Sequence, residues 1–517
     1  MAMKHNMLVL AMSTLPGSGR PVKNIEFTYA ADGTRIRNCQ YQLEPIAKLM
    51  AEKVDGEIEI LALSTGPTKE KQDVVVEGEN GNLEHRNVSA QEFFDERLHR
   101  DYGDRIRITY IDSGEFSSET ANTEPNLGLE EAVRRIRSFY SEEGHGELWI
   151  DFHGGLRDSS TIFIAIINLL KVDSIIPDQI LGVETGKNRI YSQKRVMQIF
   201  DFVSGMNEFI NYGSDSLLKE FYKGESRKEI KDVLSSIDVI SEGTQFCDPA
   251  KYLEGINSLK SSIHSLPQSE SMISIFSDYI QSDYGALLTD PEPSPLLIIR
   301  RCLKKNLIQQ ALTFTESMMP EEFVKSGFIR YTLPRGTSLE GKKPSYLSAD
   351  DFVVDSYVNL KLRYFEDTGE KLIKNSREAR SIEWKDLLII KTVQNFADQK
   401  DVLEKAVREQ KPQWIPATTM EQVFLKNNAT EYSLGNRENT IQVRLSTGLP
   451  VGLNMFGSKL IHMHKALKGC RNFYNHSNSQ RPSLDQIKTV LELYLVYAET
   501  LLPLCTPFGN SGHVQRF

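Results

Sequence analysis

The 517-residue chain has little cysteine: five residues, scattered along its length, with no C-x-x-C pair. This scarcity argues against a disulfide-stapled fold and against a zinc knuckle. The sequence also lacks an apolar run long enough to span a bilayer, and the run from Met7 to Met12 is too short for the core of a signal peptide. We therefore expect a cytoplasmic protein without a membrane partner.

An excess of basic residues is also missing, because 61 Lys and Arg residues are outnumbered by 70 Asp and Glu residues. Any contact with nucleic acid would therefore be local. One candidate is the run from Lys459 to Arg471, which holds Lys465 and Lys468 and no acidic residue, although a solvated helix face would look the same. The fingerprints G-x-x-x-x-G-K-[ST] and G-x-G-x-x-G are absent, so ATPase and dinucleotide-dehydrogenase functions lack their motifs.

Residues 1–195 alternate between strand and helix patterns. This rhythm predicts an α/β domain with a Rossmann-like, mostly parallel sheet and helices on both faces. In such sheets ligands bind at the carboxyl ends of the strands. We predict strands at Met7–Met12, Glu57–Leu63, Ile106–Ile111, Glu147–Phe152, Gln179–Glu184 and Arg189–Gln193, and helices at Gln42–Val54, Ser89–Arg100, Leu127–Tyr140 and Thr161–Leu170.

Beyond residue 195 the sequence is predominantly helical in pattern, which predicts an all-α C-terminal part. We divide it into a helical connector over 196–330, an insertion or variable region over 331–450 with β-prone runs such as Phe352–Leu360, and two closing helices over 451–517. An apolar stripe from Leu460 to Tyr474 and a capping-box pattern at Ser483 and Gln486 mark the closing helices. Connector helices are predicted at Val196–Ile210, Ser216–Tyr222, Glu229–Val239, Tyr252–Leu259 and Pro295–Met318.

Two polar, glycine-bearing loops follow strands of the predicted sheet. One is Ser13-Thr14-Leu15-Pro16-Gly17-Ser18-Gly19, and the other is His153-Gly154-Gly155-Leu156-Arg157-Asp158-Ser159-Ser160. Glycines allow a close backbone approach to a ligand, and a following helix N-terminus favours an anion. If both loops lie at one sheet edge, they form a phosphate or nucleotide site. The plain alternative is a pair of βα turns with a capped helix.

The segment Arg471-Asn472-Phe473-Tyr474-Asn475-His476 carries the parts of a metal-free phosphodiester-cleaving site. Histidine moves protons near neutral pH, and arginine stabilises a charged phosphorane. The spacing alone is a weak signal, and residues five apart lie about 140° apart around a helix. Two copies facing each other across a twofold axis would make a better site than one helix. Decoration of a solvent-exposed helix face is the alternative.

Together these features resemble the CARF–HEPN ribonucleases of type III CRISPR systems. The stretch Asp151–Arg157 resembles the D-x-[TH]-x-G-x-R-like loop of a CARF domain, although it departs from the commoner D-x-T-H-G form. Arg471, Asn472 and His476 match the HEPN pattern R-[polar]-x3-H, and Ile199–Gly213 is similar to the segment that joins the two domains. The resemblance covers residues 1–220 and 455–517.

The resemblance implies a homodimer in which the CARF domain, over residues 1–195, binds a cyclic oligoadenylate. The bound ligand activates a HEPN domain, whose first part would lie within 196–330 and whose catalytic helices would lie within 451–517. This domain cuts single-stranded RNA without a metal or other cofactor, leaving a 2′,3′-cyclic phosphate. Catalysis would use Arg471, Asn472 and His476. Two alternatives stay open: a non-catalytic nucleotide-sensing regulator, and a CARF domain that also degrades its ligand through His153, Arg157 and Ser13. The implied ligand-binding residues are Ser13, Thr14, Leu15, Gly17, Ser64, Thr65, His153, Gly154, Gly155, Arg157, Asp158 and Ser159.

Overall fold

In a computed structural model the chain forms two compact units, unit 1 over Met1–Asp201 and unit 2 over Phe202–Phe517. The predicted domain boundary after residue 195 falls inside the helix that contains this division. The structure describes residues 4–16, 21–78, 80–112, 127–155, 159–268, 272–275, 277–339, 343, 348–354, 396–409, 429–434, 441–475, 483–505 and 515–516.

Unit 1 alternates strands and helices, as its sequence pattern predicts. Its strands are β1 His5–Ala11, β2 Ile25–Tyr29, β3 Arg35–Cys39, β4 Glu57–Ser64, β5 Gln72–Glu77, β6 Leu83–Val88, β7 Ile106–Asp112, β8 Leu148–Asp151, β9 Gln179–Glu184 and β10 Arg189–Ser192. Its helices are α1 Glu44–Lys53, α2 Gly66–Lys69, α3 Ala90–Tyr102, α4 Leu127–Ser141 and α5 Ser159–Val172, and α6 Lys194–Tyr212 runs on into unit 2.

Among the described residues, eight strands of unit 1 form one sheet in the order β3-β2-β10-β9-β8-β1-β4-β7. The five neighbours from β9 to β7 are all parallel, which confirms the mostly parallel sheet. Numbered by their own sequence order, these five lie as 3-2-1-4-5, the order of a doubly wound dinucleotide-type fold. The strand order reverses between β1 and β8, and ligands bind such sheets at that point.

Both faces of the sheet are covered, because its central strand is apolar on both sides. In β1, Leu8 and Leu10 join a core with residues of α1 and α3, whereas Met7 and Val9 join a second core with residues of α4 and α5. A parallel strand buried on both faces is a continuous apolar run rather than an alternating one. The prediction of helices on both faces is therefore confirmed.

The sequence analysis missed two hairpins of unit 1. Strands β2 and β3 pair antiparallel across a turn at Asp32-Gly33, where Gly33 has φ +78°, and β5 pairs antiparallel with β6. A short β-prone run followed by Asp-Gly is a hairpin signal that could have identified the first hairpin.

Unit 2 is built mainly from helices around a single large apolar core. The predicted helix Pro295–Met318 is wrong as one element, because the chain breaks between its two halves at Asn306, which takes a left-handed φ of 61°. The helices are α7 Ser216–Phe221, α8 Lys228–Gln245, α9 Pro249–Ser262, α10 Met272–Ile275, α11 Ser277–Thr289, α12 Pro295–Lys304, α13 Ile308–Lys325, α14 Phe396–Glu409, α15 Asn454–Asn475 and α16 Leu484–Leu501.

The expectation that this part is all-α is wrong. Within the described residues, β11 Arg330–Leu333, β12 Ala429–Leu434, β13 Ile441–Ser446 and β14 Gln515–Arg516 form a small sheet in the order β12-β13-β11-β14. Residues 352–354 of the β-prone run are helical, and 355–360 lie outside the described residues. Strand β11 precedes residues 355–395, which lie outside the described residues, and β13 follows them. The two strands pair antiparallel, so segments from the two ends of the predicted insertion are neighbours in this sheet.

The two closing helices are confirmed as α15 and α16. Ser483 caps α16 through the predicted capping box, in which its hydroxyl accepts from the Gln486 amide and its own amide donates to the Gln486 side chain. In the part of the chain that the structure describes, no helix combines the length and apolar character needed to cross a membrane.

Candidate functional site

The loops that follow β1 and β8 meet at the point where the strand order of unit 1 reverses. The Gly155 amide donates a hydrogen bond to the Ser13 hydroxyl at 2.8 Å. Ser13 is itself held by Tyr41, whose hydroxyl accepts from the Ser13 amide at 3.1 Å and donates to the Ser13 carbonyl. The expectation that both loops lie at one edge of the sheet is therefore confirmed.

Both glycines of the second loop are sterically required. A Cβ on Gly154 would lie 2.2 Å from the Ala11 carbonyl oxygen and 2.3 Å from a methyl of Leu43. Gly155 has φ +96°, and a Cβ there would lie 2.0 Å from the Ser159 hydroxyl. The two glycines therefore bring the loop against the end of β1, which any larger residue would prevent.

Asp151 is a buried carboxyl group at this point, and the sequence analysis did not place it among the site residues. It ends the apolar strand β8 with no exposed surface. One carboxylate oxygen accepts the His153 amide at 2.8 Å, and the other is buried without a hydrogen-bond partner within the described residues. Burial raises the pKa of Asp151 to about 7, against the opposing effect of the His153 amide. Such buried, perturbed acids are concentrated at functional sites.

The remaining predicted ligand residues fall into different environments. Leu15 packs its side chain into the core, so the expectation that it contacts a ligand is wrong for that side chain. Ser64 is buried and donates to the Ile111 carbonyl at 3.3 Å, whereas the buried Thr65 hydroxyl has no partner among the described residues. Burial lowers the pKa of the half-buried His153, which favours its neutral form. Thr14 is exposed, Ser159 begins α5, and Gly17, Arg157 and Asp158 lie outside the described residues.

In unit 2, Arg471 lies in a polar cluster between helices rather than on a solvent face. Its side chain is 33% exposed, and its Nε atom is 3.3 Å from Oε2 of Glu316 on α13. Oε1 of Glu316 is 3.7 Å from Nζ of Lys468, one turn before Arg471 on α15. The predicted basic run is thus partly neutralised by an acid from a distant segment. The sequence analysis missed Glu316, and no local signal marks it.

The end of α8 reaches the same cluster. Cys247 follows α8 with a left-handed φ of 53° and a side chain hydrogen-bonded to Thr313 of α13. Burial raises the pKa of the Cys247 thiol, while the nearby charge of Arg471 opposes that rise. Side chains of α13 and of the segment after α8 therefore lie near Arg471 of α15.

The helices that carry this cluster pack antiparallel. Phe323, seven residues after Glu316 on α13, contacts His464 edge to face with ring centroids 5.3 Å apart. His464 lies seven residues before Arg471 on α15. His464 is buried, and its Nδ1 lies 3.2 Å from the Tyr494 hydroxyl of α16. Three packed helices thus support the position of Arg471.

The other two residues of the predicted catalytic set are described less fully. Asn472 lies within the last turns of α15, and His476 follows the described end of that helix. The proximity of Arg471 and His476 therefore stays a prediction. Among the described residues no group of three or more His, Cys, Asp or Glu side chains is arranged to hold a metal ion.

Comparison with known proteins gave no matching family model and no matching curated protein. Any function assigned to the chain therefore rests on its own motifs and on the geometry of these two sites.

Proposed function

We propose that the protein is a metal-independent endoribonuclease that a cyclic oligoadenylate activates. Unit 1 would bind the activator at the meeting loops after β1 and β8, and unit 2 would cut single-stranded RNA. The observation that carries the proposal is Arg471, held in a partly buried polar cluster on the helix that leads to His476. A decorative surface arginine would need no such support. The setting we propose is type III CRISPR antiviral defence in the cytoplasm.

The cleavage chemistry follows from the side chains. The RNA 2′-hydroxyl attacks the adjacent phosphorus and forms the 2′,3′-cyclic phosphate, while the bond to the 5′-oxygen breaks. His476 moves the protons between the attacking and leaving oxygens. Arg471 stabilises the negative charge of the phosphorane, and Asn472 orients the histidine or the phosphate.

Activator binding is supported by the chemistry at the sheet edge of unit 1. The Ser13–Gly155 contact brings two backbone-rich loops together, and a buried carboxyl group with spare acceptor capacity lies below them. Adenine amino groups and ribose hydroxyls are hydrogen-bond donors that such a group can meet. The ligand then shifts the equilibrium between two states of the ribonuclease site, in proportion to its preference for one of them.

A homodimer is supported by an exposed apolar face on α5 and the start of α6. Val172 is 81% exposed and Ile176 is 70% exposed, and Leu169, Val196 and Ile199 are also exposed. The ion pair between Lys171 and Asp201 ties the two helices together. Exposed apolar side chains that cluster in this way are normally covered, and a second copy of this chain would cover them.

The test is incubation of labelled single-stranded RNA with the purified protein in EDTA, with and without cyclic oligoadenylates of different ring sizes. We expect cleavage only with activator, products that end in 2′,3′-cyclic phosphate, and at least a hundredfold loss of cleavage in His476→Ala with ligand binding retained. Unchanged cleavage by that variant would overturn the proposal.

Two other outcomes identify the alternatives. Tight binding of the oligoadenylate without RNA cleavage would identify a non-catalytic sensor. Loss of intact oligoadenylate over time would identify ligand degradation in unit 1, an outcome favoured by the lowered pKa of the half-buried His153 in the loop whose Gly155 meets Ser13. Ligand degradation is compatible with RNA cleavage, whereas the sensor is not.

A further inference from the structure

Glu316 contacts two cations of the predicted basic run at once. Its two carboxylate oxygens face Lys468 at 3.7 Å and Arg471 at 3.3 Å, and these two residues lie one helical turn apart on α15. Glu316 belongs to α13, so the contact joins two helices. One carboxylate therefore faces two basic side chains of the neighbouring helix.

The contact between Glu316 and Arg471 is shielded from water. Oε2 of Glu316 and Nε of Arg471 are both buried atoms, and their contact is an ion pair without the alignment of a hydrogen bond. A partly desolvated guanidinium needs a nearby counter-charge, since the alternative is an uncompensated buried charge. Glu316 supplies that counter-charge, which makes it more than a surface partner.

The carboxylate engages the Nε side of the guanidinium. The guanidinium is planar and rigid, so a contact that restricts its Nε side also restricts the direction of its terminal Nη fork. The Nη fork is the part of arginine whose geometry matches two phosphate oxygens. A residue of another helix therefore contributes to the direction of the fork relative to α15.

The helix that carries Glu316 packs against α15. Phe323, on the same helix, packs against His464 of α15 two turns away, and α15 packs in turn against α16. A supporting residue holds a catalytic group well only when its own helix is fixed by packing.

We propose that Glu316 is a positioning residue for Arg471 in the RNA-cleaving site, a proposal that rests on the proposed function. Its carboxylate holds the guanidinium in the orientation that meets the phosphorane, and it does not itself touch the RNA. Loss of the carboxylate removes this contact and leaves the charge of Arg471 unchanged, so RNA still binds while the guanidinium is less well oriented toward the transition state.

The test compares Glu316→Gln, Glu316→Ala and Glu316→Asp in the full chain, with the activator at saturation. Glu316→Gln keeps the shape and removes the charge, and we expect kcat to fall about tenfold, less than the roughly hundredfold loss typical when a charge-stabilising donor is removed outright. RNA affinity should stay unchanged or increase, because the cluster gains positive charge. Glu316→Asp should recover part of kcat.

The matched control is Glu499→Gln. Glu499 of α16 pairs with Arg300 of α12 at 2.8 Å, so this variant removes another arginine–glutamate ion pair between helices of the same unit. We expect its kcat to stay within twofold of the wild type. An equal loss in the control, a kcat of Glu316→Gln within twofold of the wild type, or a parallel fall of kcat, RNA binding and Tm would each overturn the positioning role.

A readout independent of activity separates this proposal from the proposed function. The Nε–Hε resonance of Arg471, assigned by its absence in Arg471→Lys, should be protected from exchange in the wild type and lose that protection in Glu316→Gln. If the wild type cuts no RNA, the proposed function fails, while this resonance still reports whether Glu316 orients Arg471. An unchanged resonance in Glu316→Gln overturns the inference in either case.

Discussion

Two groups of buried charged side chains in unit 1 are built in opposite ways. In the first, Glu44 accepts from Nε and Nη2 of Arg97 at 2.5 and 2.9 Å, and Lys48 bridges Glu44 and Asp101 at 3.1 and 2.7 Å. In the second, Asp151 has one backbone donor and an oxygen without a partner among the described residues. In the first group the charged side chains pair with one another. In the second, one carboxylate oxygen of Asp151 accepts no hydrogen bond from a described residue.

The difference teaches which buried charge is structural. The Glu44 group ties α1 to α3 and to the backbone of β3, since both Lys48 and Arg97 also donate to the Asn38 carbonyl. Asp151 ties little together and lies where the strand order reverses. Buried polar groups are almost always satisfied, so an exception among the described residues, at the point where sheets of this order bind ligands, points to function.

The largest loss of stability is expected when the hydrogen-bonded group around Glu44 is disrupted. Arg97→Ala leaves Glu44 buried without its main partner, and we expect the free energy of unfolding to fall by about 3–5 kcal/mol. Urea denaturation of the full chain measures this loss. The control is Arg134→Ala on the exposed face of α4, whose ion pairs with Glu130 and Glu131 should contribute less than about 1 kcal/mol. Similar losses in both variants would contradict the contrast.

The next effect has the opposite sign and depends on pH. The folded-state pKa of Asp151 is about 7, above the ordinary 3.8, so folding favours the protonated carboxyl. Below pH about 4 the burial of Asp151 does not lower the free energy of unfolding. The loss of stability grows as pH rises from about 4 to about 7, and it is constant above that. At about 1.4 kcal/mol per pKa unit the full penalty is a few kcal/mol.

Asp151→Asn should therefore stabilise the protein at pH 8 by up to a few kcal/mol and leave it nearly unchanged at pH 4. Denaturation curves of wild type and variant across this range give the difference directly. If the two proteins lose stability in parallel between pH 4 and 7, Asp151 is not the titrating group. The same variant should bind the oligoadenylate less tightly if the unused oxygen meets the ligand.

A smaller effect is expected at the close approach of the second loop to β1. Gly154→Ala places a methyl group against the Ala11 carbonyl and Leu43, and we expect a loss of about 1–3 kcal/mol. Gly186→Ala is the control, because a Cβ there meets no atom within 4 Å. Thermal denaturation distinguishes them, and a neutral Gly154→Ala would mean that the loop yields easily.

The smallest effect tests the contact between the two loops. Ser13→Ala removes the acceptor of the Gly155 amide, and we expect a loss of about 1 kcal/mol. Because the contact fixes the two loops relative to each other, the loss in the free energy of oligoadenylate binding should exceed the loss in the free energy of unfolding. Calorimetric titration beside thermal denaturation tests this, and unchanged affinity would separate the contact from ligand binding.

Prediction from sequence succeeded where the pattern is local. The run Met7–Met12 is apolar throughout because its strand is buried on both faces, and the stripe from Leu460 to Tyr474 follows one helix face. It failed where a single residue overrides the pattern. Apolar periodicity continues through Pro295–Met318, yet Asn306 ends the first helix in a left-handed conformation.

The candidate sites show the same limit more strongly. Ser13, Gly154 and Gly155 were predicted as site residues from their loops. Leu15 was predicted as a ligand-binding residue from the same pattern, but its side chain packs into the core, because a loop pattern does not indicate which of its residues is buried. Asp151 was read as part of a motif, not as a buried acid. Glu316 lay outside the prediction altogether, since nothing near it in sequence indicates Arg471.

The sequence by itself determined the alternating α/β order of unit 1, the positions of its two glycine-bearing loops and the closing helices with the capping box at Ser483. These depend on periodicity and turn chemistry, which act between near neighbours in the chain. The tertiary structure alone shows that Gly155 meets Ser13, that one Asp151 oxygen has no partner among the described residues and that Glu316 lies 3.3 Å from Arg471. Such pairs form between distant segments, and their distances follow from how strands and helices pack.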